Sequence, residues 1–183
     1  MNQNSFKISN NNLQKLKNGA IGIIPTDTVY GIVTQAKNKT SVARLYELKK
    51  RDKKPGTIIA SNLNQLLSLG IDLNSLDLAS RFWPGSVSVV IPCETTLKYL
   101  HLGVGSLAFR LVSDKKIYDL LLETGPLLTS SANLPNMPIA NNIKEAKKYF
   151  GKSVDLYING GDLSDRLPSS IIKIENNNII RLR

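Results

Sequence analysis

The stretch AIGIIPTDTVYGIVTQA, residues 20–36, places a polar segment between two apolar runs. The runs 20–24 and 32–36 have the length and composition of buried β-strands. The segment 25–31 between them carries two threonines and an aspartate, bounded by a proline and a glycine. Because open α/β sheets commonly bind ligands where their strands end, this stretch predicts hydroxyl groups and one carboxylate at a ligand-binding edge of a sheet.

Apolar periodicity alternates between strand and helix lengths along the rest of the chain. Further strands are predicted at residues 57–60, 86–92, 107–112, 127–129 and 154–159, and a closing hairpin pairs 171–175 with 179–183 across 176–178. Helices are predicted at 10–18, 62–69, 75–82, 114–123 and 142–150, and from a cap at Thr40 or Ser41 to about residue 50. This alternation predicts one α/β domain over residues 1–183, built on a mixed β-sheet.

The composition is that of an ordinary globular domain. The chain has 183 residues, of which 42% are hydrophobic and 21% charged, enough for one substantial core. No apolar run approaches the roughly 20 residues that span a bilayer, and the N-terminus does not resemble a signal peptide. Cys93 is the only cysteine, which excludes an intramolecular disulfide and fits a reducing compartment. We therefore expect a cytoplasmic protein without a membrane partner.

The net charge of +10 raises the question of nucleic-acid binding. The cations are 17 lysines and only 7 arginines beside abundant asparagine and isoleucine, a mixture that an AT-rich genome also encodes. No predicted strand interleaves aromatic and basic residues as base-stacking platforms do. The pattern therefore favours an electropositive cleft for a polyanionic small molecule over specific nucleic-acid binding.

Two cations lie where the helix that starts near Thr40 ends. Lys49 and Arg51 are separated by one residue and are followed by a basic turn, residues 51–56. A guanidinium binds a phosphate or a carboxylate with two hydrogen bonds and an ammonium adds a compact charge, so together they suit a triphosphate. The ordinary alternative is that cations at a helix C-terminus simply complement the helix dipole.

Two further segments have both a functional and a structural interpretation. Arg110 lies inside an apolar strand pattern, so its side chain points to a face that is not core, lies at a solvated edge, or forms an internal ion pair, for instance with Asp27. The segment TSSAN, residues 129–133, directly follows a predicted strand. Small hydroxyl residues there let N–H groups and oxygens approach a phosphate closely, although the same residue types also form turns and caps.

Several familiar catalytic signatures are missing. The sequence has no G-x-x-x-x-G-K-[ST] loop, no G-x-S-x-G elbow and no complete dinucleotide fingerprint. His101 is the only histidine and is interpreted as an exposed loop residue, so histidine triads and multi-histidine metal sites are excluded by count. One carboxylate at Asp27 does not make a metal site. The candidate functional groups that remain are hydroxyls and cations, and these indicate binding of an anionic substrate.

Seven short motifs, in their order along the chain, resemble those of the YrdC-like family. They are PTDTVYG at 25–31, K-x-R at 49–51, WPG at 83–85, a strand ending in arginine at 107–110, SAN at 131–133, PSSII at 168–172 and an arginine in the last strand at 181. The resemblance covers nearly the whole chain. It implies a single-domain YrdC-like fold, a twisted mixed β-sheet flanked by helices with an electropositive concave cleft. The loop 134–138 and Asp52, where a proline is often found, depart from the family's pattern.

The resemblance implies an L-threonylcarbamoyladenylate synthase, a nucleotidyltransferase of the short type. Such an enzyme makes threonylcarbamoyl-AMP and pyrophosphate from L-threonine, bicarbonate or CO2, and ATP. It needs no covalent nucleophile, because its task is to position two anions and stabilise charge at phosphorus. Mg2+ is expected to arrive with ATP, without protein ligands. The expected partners are downstream threonylcarbamoyl transferase proteins that modify an adenosine in tRNA, and a weak direct contact with tRNA.

The resemblance also assigns roles to individual residues. The L-threonine pocket is expected to contain Thr28, Arg110, Thr129 and Ser169. The ATP side is expected to be lined by Lys49, Arg51, Lys54, Ser131, Asn133 and Arg181. Within these sets, Lys49 and Arg51 are the residues expected to stabilise the transition state.

Two alternatives stay open. One keeps the fold and changes the substrate, as in the carbamoyl-adenylate-forming domain of carbamoyl transferases for hydrogenase maturation. The other is a non-catalytic RNA-binding protein that uses the basic concave face. The second alternative predicts a steep loss of RNA affinity when scattered lysines are replaced, without nucleotide turnover.

Overall fold

The computed structural model describes residues 8–175 and 178–183. Within these residues, the strands are β1 (Gly22–Pro25), β2 (Tyr30–Gln35), β3 (Thr57–Ala60), β4 (Val87–Pro92), β5 (Ser106–Leu111), β6 (Leu127–Ser131), β7 (Leu156–Tyr157), β8 (Ser170–Glu175) and β9 (Asn178–Arg181). The α-helices are α1 (Asn10–Lys17), α2 (Lys39–Leu48), α3 (Leu63–Leu67), α4 (Leu73–Ser80), α5 (Lys98–His101), α6 (Lys115–Thr124) and α7 (Ile143–Phe150), and a 3-10 helix spans Thr95–Leu97.

The strands form one sheet in the order β7-β1-β2-β6-β3-β5-β4-β8-β9. The pairs β1/β7, β3/β5 and β4/β8 are parallel. The pairs β1/β2, β2/β6, β3/β6, β4/β5 and β8/β9 are antiparallel. The predicted α/β architecture with a single twisted mixed sheet flanked by helices is therefore confirmed.

The two faces of the sheet carry separate apolar cores, because successive side chains of a strand point to opposite faces. Ile32, Ile58 and Phe109 belong to the larger core, which packs under α2, α3, α4, α5 and α7. Val33 and Ile59 belong to the smaller core, under α1 and α6. Each fully buried aliphatic side chain stabilises the fold by about 1.5–3 kcal/mol relative to an exposed one.

The face that carries the smaller core becomes polar beyond α1 and α6. Arg110 is paired in register with Ile59, and Thr129 with Val33, so both polar side chains share the face of these two apolar residues. Thr57 is paired with Thr129 on the neighbouring strand. Strand alternation thus places an arginine and two threonines near one another on this face of the sheet, beside the apolar residues that α1 and α6 cover.

Two local predictions were wrong. The helix α2 is capped by Asn38, two or three residues earlier than the predicted Thr40 or Ser41, and the Asn38 side chain accepts a hydrogen bond from the Ser41 amide at 3.0 Å. His101 is not an exposed loop residue: it ends α5 and is 3% exposed. Its Nδ1 accepts a hydrogen bond from the Gly105 amide, which closes the turn that follows the helix.

The remaining predicted elements are present, with ends that differ by a few residues. The strand predicted at 154–159 is shorter and reduces to β7. The closing hairpin is confirmed in the pairing of β8 with β9, while residues 176 and 177 of its predicted turn lie outside the described residues. None of the described helices is long and apolar enough to cross a membrane.

Candidate functional site: two adjoining anion-binding cavities

A cavity of about 120 Å³ opens on the polar part of the smaller-core face. The residues predicted to bind L-threonine all line it, and they come from four separate parts of the chain: Thr28, Arg110, Thr129 and Ser169. Each is buried, with an exposed fraction between 2% and 7%. The fold therefore brings this predicted group together in one enclosed place, which we call the first cavity.

The loop between β1 and β2 forms one wall of the first cavity. The Thr26 hydroxyl donates to the Val29 carbonyl at 2.7 Å and accepts from the Thr28 amide at 3.2 Å, which closes a tight turn. The Thr26 and Thr28 hydroxyls lie 3.1 Å apart. Gly31 allows the next strand to approach, because a Cβ there would lie 2.6 Å from Thr129 Oγ1.

A buried ion pair crosses the base of this wall. Arg110 Nη2 donates to Asp27 Oδ1 at 2.8 Å, and both side chains are 3% exposed. Arg110 Nη1 also lies 3.4 Å from the Thr28 hydroxyl. The internal ion pair considered for Arg110 is thus confirmed. It does not exclude a binding role, because Arg110 lines the cavity.

Burial acts on both members of this pair. It raises the pKa of Asp27, an effect that the Arg110 charge partly offsets. It lowers the pKa of Arg110, which Asp27 partly restores. A buried pair of this kind gains little net stability, since desolvation costs several kcal/mol per ion. What the pair does provide is a guanidinium held in one orientation.

Arg183 reaches the first cavity through a β-bulge. The amides of Leu182 and Arg183 both donate to the Ile171 carbonyl, at 2.7 and 3.2 Å, so two residues oppose one on β8. The bulge directs the Arg183 guanidinium into the lining. There its Nε donates to the Ser169 carbonyl at 3.0 Å and its Nη2 to the Ser169 hydroxyl at 3.2 Å.

Arg181, the arginine predicted for the ATP side, is not in the lining of either cavity. It is paired in register with Ile172, whose side chain belongs to the larger core on the opposite face of the sheet. Arg181 is exposed, and its Nε donates to the Arg183 carbonyl. Sequence reasoning missed Arg183, because both arginines occur in one predicted strand and a bulge leaves no local signature.

A second cavity of about 380 Å³ adjoins the first. It is lined by the predicted ATP-side residues other than Arg181, namely Lys49, Arg51, Lys54, Ser131 and Asn133. Arg51 and Ser131 line both cavities. Arg51 Nη1 is fixed by the carbonyls of Lys54 and Pro55, at 3.0 and 2.9 Å, so the basic turn orients its guanidinium.

The Lys49 ammonium is buried, in contrast to the cations around it. Lys49 is 2% exposed, and its Nζ donates to the Ser131 carbonyl at 2.8 Å and to Asn133 Oδ1 at 3.0 Å, with a third bond to the Asn133 carbonyl. Burial, assisted by repulsion from Arg51, lowers the pKa of Lys49 to about 7. The three oxygen acceptors act in the opposite direction, because they stabilise the protonated form.

The first cavity brings three arginines together. Among the described residues its lining contains the guanidinium groups of Arg51, Arg110 and Arg183 and no carboxylate, while Asp27 is paired with Arg110 beside it. Burial lowers the pKa of each, and repulsion from Arg183 lowers those of Arg51 and Arg110 further. Each of the three guanidinium groups is held by protein acceptors: Arg51 by the carbonyls of Lys54 and Pro55, Arg110 by Asp27, and Arg183 by Ser169.

This combination defines the class of protein: a single-sheet α/β domain with two adjoining cavities that share Arg51 and Ser131 in their linings. The chain belongs to the Sua5/YciO/YrdC family, whose sequence model, described as "Telomere recombination", matches residues 14–183. The resemblance to the YrdC-like family is thereby confirmed.

Curated relatives cover most of the chain. A putative threonylcarbamoyl-AMP synthase of Mycobacterium leprae is 31% identical over 163 residues, which make up 87% of this chain and 74% of the relative. A threonylcarbamoyl-AMP synthase of Pseudomonas aeruginosa (strain UCBPP-PA14) is 31% identical over 170 residues, 91% of this chain and 92% of the relative.

Solved structures share the fold. P. abyssi Sua5 complexed with L-threonine superposes with a TM-score of 0.82 at 26% identity, over 93% of this chain and 52% of that one, so the chain spans about half the length of this relative. E. coli YciO superposes with a TM-score of 0.79 at 22% identity, over 95% and 87% of the two chains, which shows the fold alone.

Proposed function

We propose that the protein is an L-threonylcarbamoyladenylate synthase. The observation that carries this proposal is that the predicted amino-acid residues line one cavity and the predicted nucleotide residues other than Arg181 line an adjoining one, with Arg51 and Ser131 in both linings. A reaction that joins an amino-acid derivative to a nucleotide needs two anions held side by side. The names of the relatives from M. leprae and P. aeruginosa support the same activity.

The first cavity would hold L-threonine. Arg110, oriented by Asp27, lines the cavity, and an arginine fork matches a carboxylate with two hydrogen bonds. The hydroxyls of Thr28, Thr129 and Ser169 would complete the pocket. Bound L-threonine in P. abyssi Sua5, which has the same fold, supports this assignment.

The second cavity would hold ATP beside the threonine amine. The amine would form a carbamate, with release of a proton if CO2 reacts or of water if bicarbonate reacts, and a carbamate oxygen would then attack the α-phosphorus and displace pyrophosphate. The negative charge that develops there would be stabilised by Arg51, which faces both cavities. We propose that Arg183, and not Arg181, is the arginine from this end of the chain that acts at the site, from the side of the first cavity, because only Arg183 of the two lines it. Lys54, Ser131 and Asn133 would contact the nucleotide.

Mg2+ would enter with the nucleotide. Among the described residues, no group of three or more His, Cys, Asp or Glu side chains is placed to hold a metal ion, and Asp52 is the one carboxylate in the lining of the second cavity. The residues present therefore fit a cation carried by phosphates and do not fit a resident metal centre. When bound, Mg2+ supplies charge neutralisation on the phosphate oxygens.

The product is a reactive mixed anhydride, so we propose that it passes to downstream threonylcarbamoyl transferase proteins that modify tRNA. A weak contact between this protein and tRNA is part of the same proposal. The net charge of +10 supports such a contact only in general terms, since it supplies attraction without sequence recognition.

The test is pyrophosphate release by the purified protein with Mg-ATP, bicarbonate and single amino acids. We expect release that requires both L-threonine and bicarbonate and that falls at least about tenfold in Arg51→Ala, since one charge-assisted hydrogen bond is worth about 1.5–3 kcal/mol. Lys54→Ala and Lys53→Ala form a matched pair from one basic turn, of which only Lys54 lines the cavity, so only the first should lower the rate.

Other outcomes would change the assignment. Release supported by carbamoyl phosphate in place of threonine and bicarbonate would favour the carbamoyl-adenylate alternative. Tight, salt-sensitive RNA binding by folded protein that turns over no nucleotide under any of these conditions would favour the RNA-binding alternative.

A further inference from the structure

Every proton of the Lys49 ammonium has an acceptor inside the protein. An ammonium has three N–H donors, and Lys49 Nζ is hydrogen-bonded to three oxygens: the Ser131 carbonyl, the Asn133 carbonyl and Asn133 Oδ1. The residue is 2% exposed although it lines the second cavity. A phosphate could bind this ammonium only by displacing acceptors that the protein already supplies.

All three acceptors belong to one segment, the loop of residues 131–137. The Ser131 hydroxyl donates to Asn133 Oδ1 at 2.8 Å, and Asn133 Nδ2 donates to the Met137 carbonyl at 2.6 Å, so the Lys49 ammonium begins a chain of bonds through the loop. Leu134, Pro135 and Asn136 of this loop form the wall of the second cavity that faces Arg51 and Lys54. Residues 133–137 include only short turns and no strand or helix.

From this geometry we infer that Lys49 is a positioning residue: its ammonium holds the loop 131–137 as a wall of the nucleotide cavity and does not itself bind the phosphates. Arg51 and Lys54, which line the same cavity, are then the cations that contact the phosphates. This inference rests on the proposed function in assuming that a nucleotide occupies the second cavity. It replaces the expectation that Lys49 and Arg51 act as an equivalent pair on the transition state.

Binding of adenosine and ATP distinguishes a phosphate-binding role of Lys49 from a positioning role, because adenosine is the nucleoside part of ATP and lacks the phosphates. A residue that binds phosphate affects ATP alone, whereas a residue that shapes the cavity wall affects both ligands. The variant is Lys49→Met, which keeps most of the buried stem and removes the ammonium. The matched variant is Arg51→Ala, which removes a cation from the same cavity and leaves the loop contacts in place.

Dissociation constants of ATP and adenosine are measured by titration calorimetry. We expect Lys49→Met to raise the dissociation constants of both ligands by a similar factor, on the order of tenfold, the equivalent of about 1.4 kcal/mol. Arg51→Ala should raise the dissociation constant of ATP by a comparable factor and change that of adenosine by less than about twofold. A Lys49→Met variant that loses ATP affinity while adenosine affinity is unchanged would overturn the inference.

Hydrogen exchange of the amides in residues 133–137 tests the same inference without any ligand. We expect exchange in this loop to be faster by at least about tenfold in Lys49→Met, unchanged in Arg51→Ala, and slowed again when a short alkylammonium ion is added to Lys49→Ala. Unchanged exchange in Lys49→Met would refute the positioning role. If the Lys49 variants do not fold, Asn133→Ala, which removes one acceptor, should reproduce the faster exchange.

The two measurements also separate this inference from the proposed function. Wild-type protein that binds neither ATP nor adenosine would count against the nucleotide assignment, and the exchange experiment would still decide what Lys49 does. Normal nucleotide binding with loop exchange that is insensitive to Lys49 would leave the proposed function standing and remove the positioning role.

Discussion

The two arginines near the end of the last strand allow a sharp test, because they are two residues apart and the structure gives them opposite placements. Both side chains are exposed, but Arg183 lies in the lining of the first cavity, whereas Arg181 is outside that lining and lies in register with Ile172 of the larger core. Each is changed to alanine in turn, so that both variants remove the same side chain type, one from the last residue of β9 and one from two residues beyond it. We expect only Arg183→Ala to impair the proposed reaction.

The size of the effect follows from the hydrogen bonds that Arg183 makes. A guanidinium has five N–H groups, and two of those of Arg183 are used by Ser169, which leaves three without a partner among the described residues. If one of these binds a ligand phosphate or carboxylate, its loss costs about 1.5–3 kcal/mol. That corresponds to a fall in kcat/KM of roughly 10- to 150-fold.

The assay is the initial rate of pyrophosphate release at varied ATP and varied L-threonine, with the melting temperature of each variant as the control for folding. Arg181→Ala should retain kcat/KM within about twofold, since an exposed side chain that contacts no ligand contributes little. Equal losses in the two variants, or a loss confined to Arg181→Ala, would refute the reasoning from the bulge.

Two further predictions concern reactivity and stability. Burial raises the pKa of Cys93 from 9.0 to about 11, so at pH 8 the fraction of Cys93 present as thiolate is about 100-fold lower. A disulfide reagent should therefore modify Cys93 in the folded protein about 100-fold more slowly than in urea-unfolded protein. Equal rates would contradict this burial. Tyr46→Phe removes the acceptor of the Gly56 amide in a buried position, and should lower the unfolding free energy measured in urea by about 1–3 kcal/mol. Tyr157→Phe, which loses an exposed hydrogen bond, should change it by less than about 0.5 kcal/mol, and equal costs would contradict the assigned burial.

Local patterns in the sequence were sufficient for most of the fold. The run 57–60 becomes β3 with the predicted ends, and Asp114 caps α6 as predicted, its side chain accepting from the amides of Lys116 and Ile117. These features depend on residues within one turn or one strand of each other. The cap of α2 was misplaced because Asn38, Thr40 and Ser41 are all competent caps, and the choice among them depends on where the preceding loop enters.

The grouping of candidate site residues was also predictable, for a topological reason. The polar segments at 25–31 and 129–133 are next to strands that pair with each other, since β2 lies beside β6 in the sheet. Residues at the ends of neighbouring strands are close in space whatever the details of the loops. What the motifs did not contain is the direction in which each cation points.

The sequence by itself therefore determined the family, the mixed sheet and the set of hydroxyls and cations gathered at one place, because strand patterns and motif order are properties of short segments. The tertiary structure alone decided which acceptors saturate Lys49, that Arg110 is paired with Asp27 across 83 positions of the chain, and that Arg183 enters the cavity in place of Arg181. Such outcomes depend on burial and on strand register, which arise only when distant segments pack together.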